Sequence, residues 1–299
     1  MKKWTALLLA AVGMSLLLTG CGQKETPGET SGSQTVMYSN LADQESRDKL
    51  TELMDGAGIA KERQEVFFAH LDQFNEAVPA EMLTGGMEQY DPAKPKYDPY
   101  AMQDKWLERY PVYLGQNCRL TAYTLFGDQV KVDNKDLVRE DFVLLDQDAM
   151  STDPWEPENG EKSWWLEDFS KFYSSVPTEA TKDVQVHLAN IQKDWQERGI
   201  TFADNDKVSL ISVVIHDNLD GDNLFVGHAA LLFEDGDQLW LLEKLAFQEP
   251  YQLVRFGNRD QLNEYLMTKY DLDQDQPMAA PFIMENDQMM EGYRQLPKQ

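Results

Sequence analysis

Cysteine is scarce in this 299-residue chain, which has two, Cys21 and Cys118. Cys21 closes a short apolar N-terminal segment, so Cys118 is left as one unpaired thiol and no disulfide framework can be drawn. Basic side chains are also few. Lys and Arg number 27 against 52 Asp and Glu, a formal net charge of −25 that becomes two units more negative once Lys2 and Lys3 are removed. A body so acidic is repelled by nucleic acid and by anionic headgroups, which speaks against nucleic-acid binding. Only 4 histidines are present, and His187 has no acid or cysteine at ligand spacing, so no metal and no cofactor is assigned. There is no internal repeat. One acidic stretch, DNLDGDNL at residues 217–224, alternates acids around Gly221. An EF-hand loop started at Asn218 would place Asn223 where glycine is needed and Ala229 where the bidentate glutamate is needed, so the stretch reads as a turn between strands.

What is present begins with a leader. Residues 1–21, MKKWTALLLAAVGMSLLLTGC, have a basic start, an apolar run from Ala6 to Leu18 and small or neutral residues before the cysteine. The run is short and a polar stretch follows, the pattern of a secretory signal peptide rather than a spanning helix. The ending LLTGC resembles the bacterial lipobox, which implies that Cys21 becomes the first mature residue, carries lipid and anchors the chain to the extracytoplasmic face of a membrane. Residues 1–20 are then the signal and 21–35 a flexible tether rich in Gly, Ser and Thr. Residues 36–299 are long enough, and with 7 Trp, 12 Tyr and 13 Phe in the chain apolar enough, to bury a sizeable core.

Within that body, residues 36–200 read as mainly helical. SNLADQESRDKLTELMDGAG places Asn40 as a cap and Leu50, Leu53 and Met54 on one face; AKERQEVFFAHLDQFNEAV spaces Val66, Phe67, His70, Leu71 and Phe74 three and four apart. His70 lies beside that stripe as a boundary packing residue. A proline-rich surface loop follows over residues 77–98, then a short helix in AMQDKWLERY. DFVLLDQDAM fits helix or strand, whereas EKSWWLEDFSKFY and TKDVQVHLANIQKDWQERG read as helices. From Lys207 the character changes to four runs rich in Val, Ile, Leu and Phe, KVSLISVVIHDN, NLFVGHAALLFE, QLWLLEKLAF and YQLVRF, predicting an antiparallel meander and then a helix in NRDQLNEYLMTKY. Residues 271–299 form a C-terminal tail with several methionines. The fold class is α+β, N-terminal helices packed on a C-terminal antiparallel sheet over residues 207–270.

The stretch QNCRLTAYTLF puts Cys118 at a helix start, with Asn117 or Cys118 beginning the helix and Gly127 ending it. A helix N-terminus favours the thiolate, and a neighbouring imidazole would favour it further. Of the histidines, His216 and His228 lie in the predicted sheet. If Asp235 and Gly236 are the central residues of a tight turn, Glu234 faces Asp237, and the same register sets His228 opposite Glu243. A carboxylate there would fix the ring's tautomer and raise its basicity.

Helix-initial Cys118, strand-borne His228 after Gly227 and polar Glu243 on the next strand resemble the papain-like fold, especially its NlpC-type cell-wall peptidases and amidases. That likeness implies Cys118 as nucleophile, His228 as base and Glu243 as orienting group. Papain-like proteases place an oxyanion-stabilising Gln a few residues before the cysteine, whereas Gln116 is two away; the backbone N–H of Cys118 with Asn117 or Gln116 would serve instead. YSNL at 38–41, NCR at 117–119 and GHAALLF with EKLAFQEPYQ within 227–252 resemble a domain family of unknown function found in lipoproteins of Gram-positive bacteria, which implies a lineage and not a reaction. Two readings stay open. One is a thiol hydrolase or transferase acting on amide bonds, with a cell-wall peptide or surface protein as substrate. The other is a non-catalytic lipoprotein that binds a wall fragment, peptide or partner protein, in which Cys118 is inert and His228 and Glu243 form a structural cross-strand pair.

Overall fold

The computed structural model describes residues 35–297 apart from 93, 95, 135, 137, 138, 140, 156–167, 273 and 274. The leader, Cys21 and most of the tether lie outside the described residues, as does most of the expected EKSWWLEDFSKFY helix. The described chain is mixed α/β. Its main sheet is antiparallel and holds nine strands, and a small two-stranded sheet stands apart.

The four apolar runs form the expected meander: β6 (Val208–Asp217), β7 (Asn223–Asp235), β8 (Gln238–Lys244) and β9 (Tyr251–Phe256). Both ends of the sheet are extended by segments the apolar pattern did not mark. β1 (Met37–Ser39) pairs with β9, and β2 (Glu88–Gln89), inside the proline-rich loop, pairs with β1. The C-terminal tail supplies β10 (Phe282–Glu285), which pairs with β6, and β11 (Gln288–Met289) beyond it. Short runs of two to four residues have too little alternation to read as strands alone; existing edges recruit them.

Helices cover both faces. α1 (Gln44–Gly56), α2 (Lys61–Ala77) and α4 (Cys118–Phe126) bury Leu50, Phe67, Phe74 and Leu120 in the larger core, together with Ala229, Leu231, Phe233, Trp240 and Leu242 from the sheet. On the opposite face α8 (Arg259–Tyr270) sets Leu262, Leu266 and Met267 against Ala230, Leu232, Leu239, Leu241 and Val254. The alternation of even and odd positions between the two cores is the period of two expected of a sheet covered on both sides. α3 (Pro99–Arg109), α5 (Leu144–Thr152), α6 (Phe169–Phe172) and α7 (Val184–Glu197) complete the described helices. DFVLLDQDAM is therefore helical in its second half.

Two details differ from the sequence reading. The cap of α1 is Asp43, whose carboxylate accepts from the Ser46 N–H at 2.9 Å. Asn40 is instead a buried tie: its amide donates to Tyr251 O at 2.9 Å and accepts from Thr84 N at 2.9 Å. The β7–β8 hairpin also has another register. Asp235 pairs with Gln238, so Gly236 and Asp237 are the central residues. Gly236 alone of the two has positive φ (59°), the pattern of a turn with glycine first rather than an Asp-Gly turn. Every β7–β8 pair moves by two residues from the expected register, and side chains therefore keep their face.

β7 carries a bulge that decides where His228 points. Val213 faces His228 but Val214 faces Val226, which leaves Gly227 as the extra residue. Before it Leu224 and Val226 enter the larger core; after it Ala229, Leu231 and Phe233 do. The extra residue switches the parity and turns His228 towards the α8 face. A Cβ at Gly227 would lie 2.2 Å from Ile215 Cδ1 and 2.8 Å from Cγ1. Gly227→Ala is expected to cost about 1–3 kcal/mol in urea unfolding, the usual range for overpacking. A double-mutant cycle with Ile215→Ala should show coupling of similar size, and additive losses would contradict the steric account.

Candidate active site

The β7–β8 ladder ends at Leu231 and Leu242, while β8 runs on to Lys244 against β9. The N-terminus of α4 meets the sheet where those two strands separate. Asn117 caps this helix, its Oδ1 accepting from Leu120 N at 3.0 Å, which makes Cys118, one of the two starts the sequence left open, the first helical residue. Cys118 Sγ lies 4.0 Å from Gly227 O and also meets the Ala229 N–H, so the thiol rests against the backbone on either side of His228.

His228 Nε2 lies 2.5 Å from Glu243 Oε2, and both side chains are essentially inaccessible. Because the register is shifted, the two are diagonal rather than directly opposed; they meet because they share the α8 face. The other ring nitrogen, Nδ1, is buried with no hydrogen-bond partner, and the charges of Cys118 and Glu243 both act on the ring. Tyr270 stacks on the imidazole at 4.9 Å between centroids. His216 is engaged elsewhere: Nε2 meets Asp222 Oδ1 at 2.9 Å, Nδ1 accepts from Ala279 N at 3.2 Å, and its ring packs on His187. It is His228, then, that serves the thiol.

Charge within the set is distributed unequally. Burial pushes the Cys118 thiol up, but the hydrogen bond and charge of His228, with Arg119 nearby, outweigh it and hold the thiol below its ordinary value. Burial pulls the imidazole down, whereas Cys118 and Glu243 push it up to about 9. Burial also raises the Glu243 carboxyl, and Lys269, His228 and Tyr265 together hold it well below the usual carboxylate range. All three directions favour a thiolate and an imidazolium beside an ionised glutamate.

The residues flanking the thiol share one anchor that sequence reasoning missed. Asp146 of α5, fully buried, accepts from Asn117 Nδ2 at 2.8 Å, from Arg119 Nε at 3.0 Å and from Arg119 Nη2 at 2.5 Å. Arg119 also donates from Nη1 to Val226 O at 3.1 Å, two residues before His228. One carboxylate and one guanidinium thus fix the helix N-terminus against the strand that bears the base. An acid among apolar residues in VLLDQDA was the one available sign.

Gln116 and Asn117 use their side chains for other bonds. Gln116 Nε2 donates to Tyr113 Oη at 2.8 Å and to Asp153 Oδ2 at 3.4 Å. Asp153 also holds His70 Nε2 at 2.8 Å, so His70 is a buried hydrogen-bonded residue and not merely a packing one. With Leu120 N and Thr121 N bonded to Asn117, the N–H groups of Cys118 and Arg119 stand outside the helical ladder. Among the described residues no group of His, Cys, Asp and Glu could hold a metal.

Fold and site together define a mixed α/β protein in which a helix-borne thiol, a strand-borne imidazole and a buried carboxylate converge. Residues 37–290 match the family described as a domain of unknown function (DUF4300), and the chain belongs to it. No curated protein and no solved structure matches the chain.

In the folded protein Cys118 should alkylate with iodoacetamide near neutral pH, with an apparent pKa below the value of about 8.5 for free cysteine. Glu243→Gln should move that profile upward. Labelling that appears only in denaturant would contradict an activated thiol.

Proposed function

We propose that this protein is a lipid-anchored, extracytoplasmic thiol hydrolase or transferase of papain-like type that acts on amide bonds, with cell-wall peptides as the substrate class. The observation that carries the reading is the arrangement of His228: one nitrogen on an ionised glutamate, the other buried with no hydrogen-bond partner, and the backbone on either side of the ring in contact with a thiol at a helix N-terminus. In such a set His228 takes the proton from Cys118 and the thiolate adds to the amide carbonyl carbon. Electron density moves onto the carbonyl oxygen, which the N–H groups at the start of α4 are placed to receive. As the C–N bond breaks, the imidazolium returns its proton to the leaving amine. Water, or a second amine in a transferase, then attacks the thioester and releases the acyl group, restoring the thiol.

A second reading, a non-catalytic lipoprotein that binds a wall fragment, peptide or partner protein, draws on one observation. Cys118, His228 and Glu243 are only 8%, 1% and 1% exposed, and a catalytic set must admit its substrate. Incubating the mature protein with purified cell-wall fragments, beside Cys118→Ala, separates the two. New amine or carboxyl ends from the wild type alone support the enzyme; products common to both, or none, count against thiol chemistry.

The anchor has its own test. The LLTGC ending supports lipid on Cys21, so the full chain expressed in a bacterium should partition into detergent, whereas Cys21→Ala should be released into the aqueous phase. Equal partitioning of both would rule out acylation at that residue.

A further inference from the structure

The side of Glu243 that faces away from His228 is built as carefully as the side that faces it. Glu243 Oε1 accepts from Gln252 Nε2 at 2.7 Å and from the Tyr265 hydroxyl. Tyr265 Oη in turn receives Gln252 Nε2 at 2.5 Å and Lys269 Nζ at 2.5 Å. Those two N–H groups fill the acceptor capacity of the phenol oxygen, leaving its own proton directed at Glu243. In the tautomer that leaves Nδ1 to take the Cys118 proton, His228 donates from Nε2 to Oε2, so every contact to the carboxyl group is a donor and a protonated glutamic acid would hold a hydrogen with no acceptor. The network therefore requires the carboxylate.

A buried carboxylate also requires a compensating charge. Tyr265 and Lys269 are four residues apart on α8 and so share a face. Lys269 Nζ stands 3.6 Å from Glu243 Oε1 and 4.2 Å from the Tyr265 ring centroid, and its side chain is 22% exposed, so this ammonium reaches solvent while its charge is felt inside. The other titratable groups facing Glu243 are His228 from β7, Tyr270 from α8, and Tyr90 and Tyr97 from the segment around and after β2. The tyrosines are neutral at ordinary pH, and the imidazolium's charge is balanced by the thiolate, which leaves the Lys269 ammonium to compensate the carboxylate.

We infer that Lys269, acting through Tyr265, is a positioning residue that keeps Glu243 ionised and so keeps His228 able to take the Cys118 proton. This rests on the thiol chemistry proposed above and adds a regulator of the same site. Lys269 touches no reacting atom.

The test measures iodoacetamide alkylation of Cys118 against pH in the mature protein for wild type, Lys269→Met, Lys269→Arg and Tyr265→Phe, with a melting curve for each. Lys269→Met should raise the apparent thiol pKa by about one unit, a roughly tenfold loss of thiolate at neutral pH. Lys269→Arg, which keeps the charge, should stay near wild type. Tyr265→Phe, which removes only the hydroxyl, should shift the profile in the same direction and serves as the variant of record should Lys269→Met fail to fold. A depressed wild-type thiol pKa left unmoved in folded Lys269→Met and Tyr265→Phe would overturn the role of Lys269 alone. A wild-type thiol that labels only in denaturant would overturn the thiol chemistry and this inference with it.

Discussion

The structure around the site depends on a carboxylate in a place where water cannot reach it. The side chain of Glu243 is 0% exposed, on a strand whose neighbours Leu241 and Leu242 are core residues. Leaving such a charge unpaired costs several kcal/mol, so its surroundings cannot be arbitrary. The groups around it come from three parts of the chain: His228 from β7, Gln252 from β9, Tyr265 and Lys269 from α8. The pairing of β8 with β9, the packing of α8 and the bulge in β7 all enter one electrostatic constraint. Loss of any of them leaves buried donors or acceptors without partners.

The bulge shows how a small local choice is felt at the thiol. Had the strand kept the parity of Leu224 and Val226, with no extra residue at Gly227, the side chain of residue 228 would point into the larger core, away from Glu243. With it, the ring shares a face with the carboxylate while the backbone on either side of it meets Cys118 Sγ. α4 packs on the opposite face from α8. Thiol and carboxylate therefore approach the imidazole from different layers, and the separation of β7 from β8 beyond Leu231 is what lets them do so.

Much of this was legible in the chain, for reasons that can be named. The meander was visible because β6 to β9 are long and apolar, and α4 because Asn117 caps it and Gly127 follows it. The His228–Glu243 contact was anticipated from an incorrect turn, yet a displacement of two residues leaves side-chain parity intact, and parity is what brings these two together. Asn40 was mistaken for a cap because the sequence does not distinguish one Asn or Asp from another three residues away; packing assigned Asn40 to Tyr251 and Thr84 and left Asp43 for the helix. The shell of Asp146, Gln252, Tyr265 and Lys269 was not legible. Asp146 lies more than a hundred residues before the other three, and no spacing marks Gln252, Tyr265 or Lys269 as partners of Glu243; only the folded sheet brings them to it.

The net charge also acquires a different meaning once the site is in view. Acidic side chains outnumber basic ones nearly two to one, a balance that by itself would raise a thiol pKa. Yet three basic residues stand near the thiol and Glu243, while the buried Arg63 and Arg198 are paired elsewhere with Asp128 and Asp194. Arg119 is held to Asp146 beside the thiol, Lys269 to Glu243, and Lys244 donates to the carbonyl oxygens of Ala246, Phe247 and Glu249 while its ammonium lies 4.0 Å from the Phe74 ring centroid. Exposed carboxylates are screened by water and salt within a Debye length, about 8 Å at physiological ionic strength. Charges a few ångströms away in a dry site are not. The proton on Cys118 is therefore governed by the groups next to it rather than by the acidic exterior.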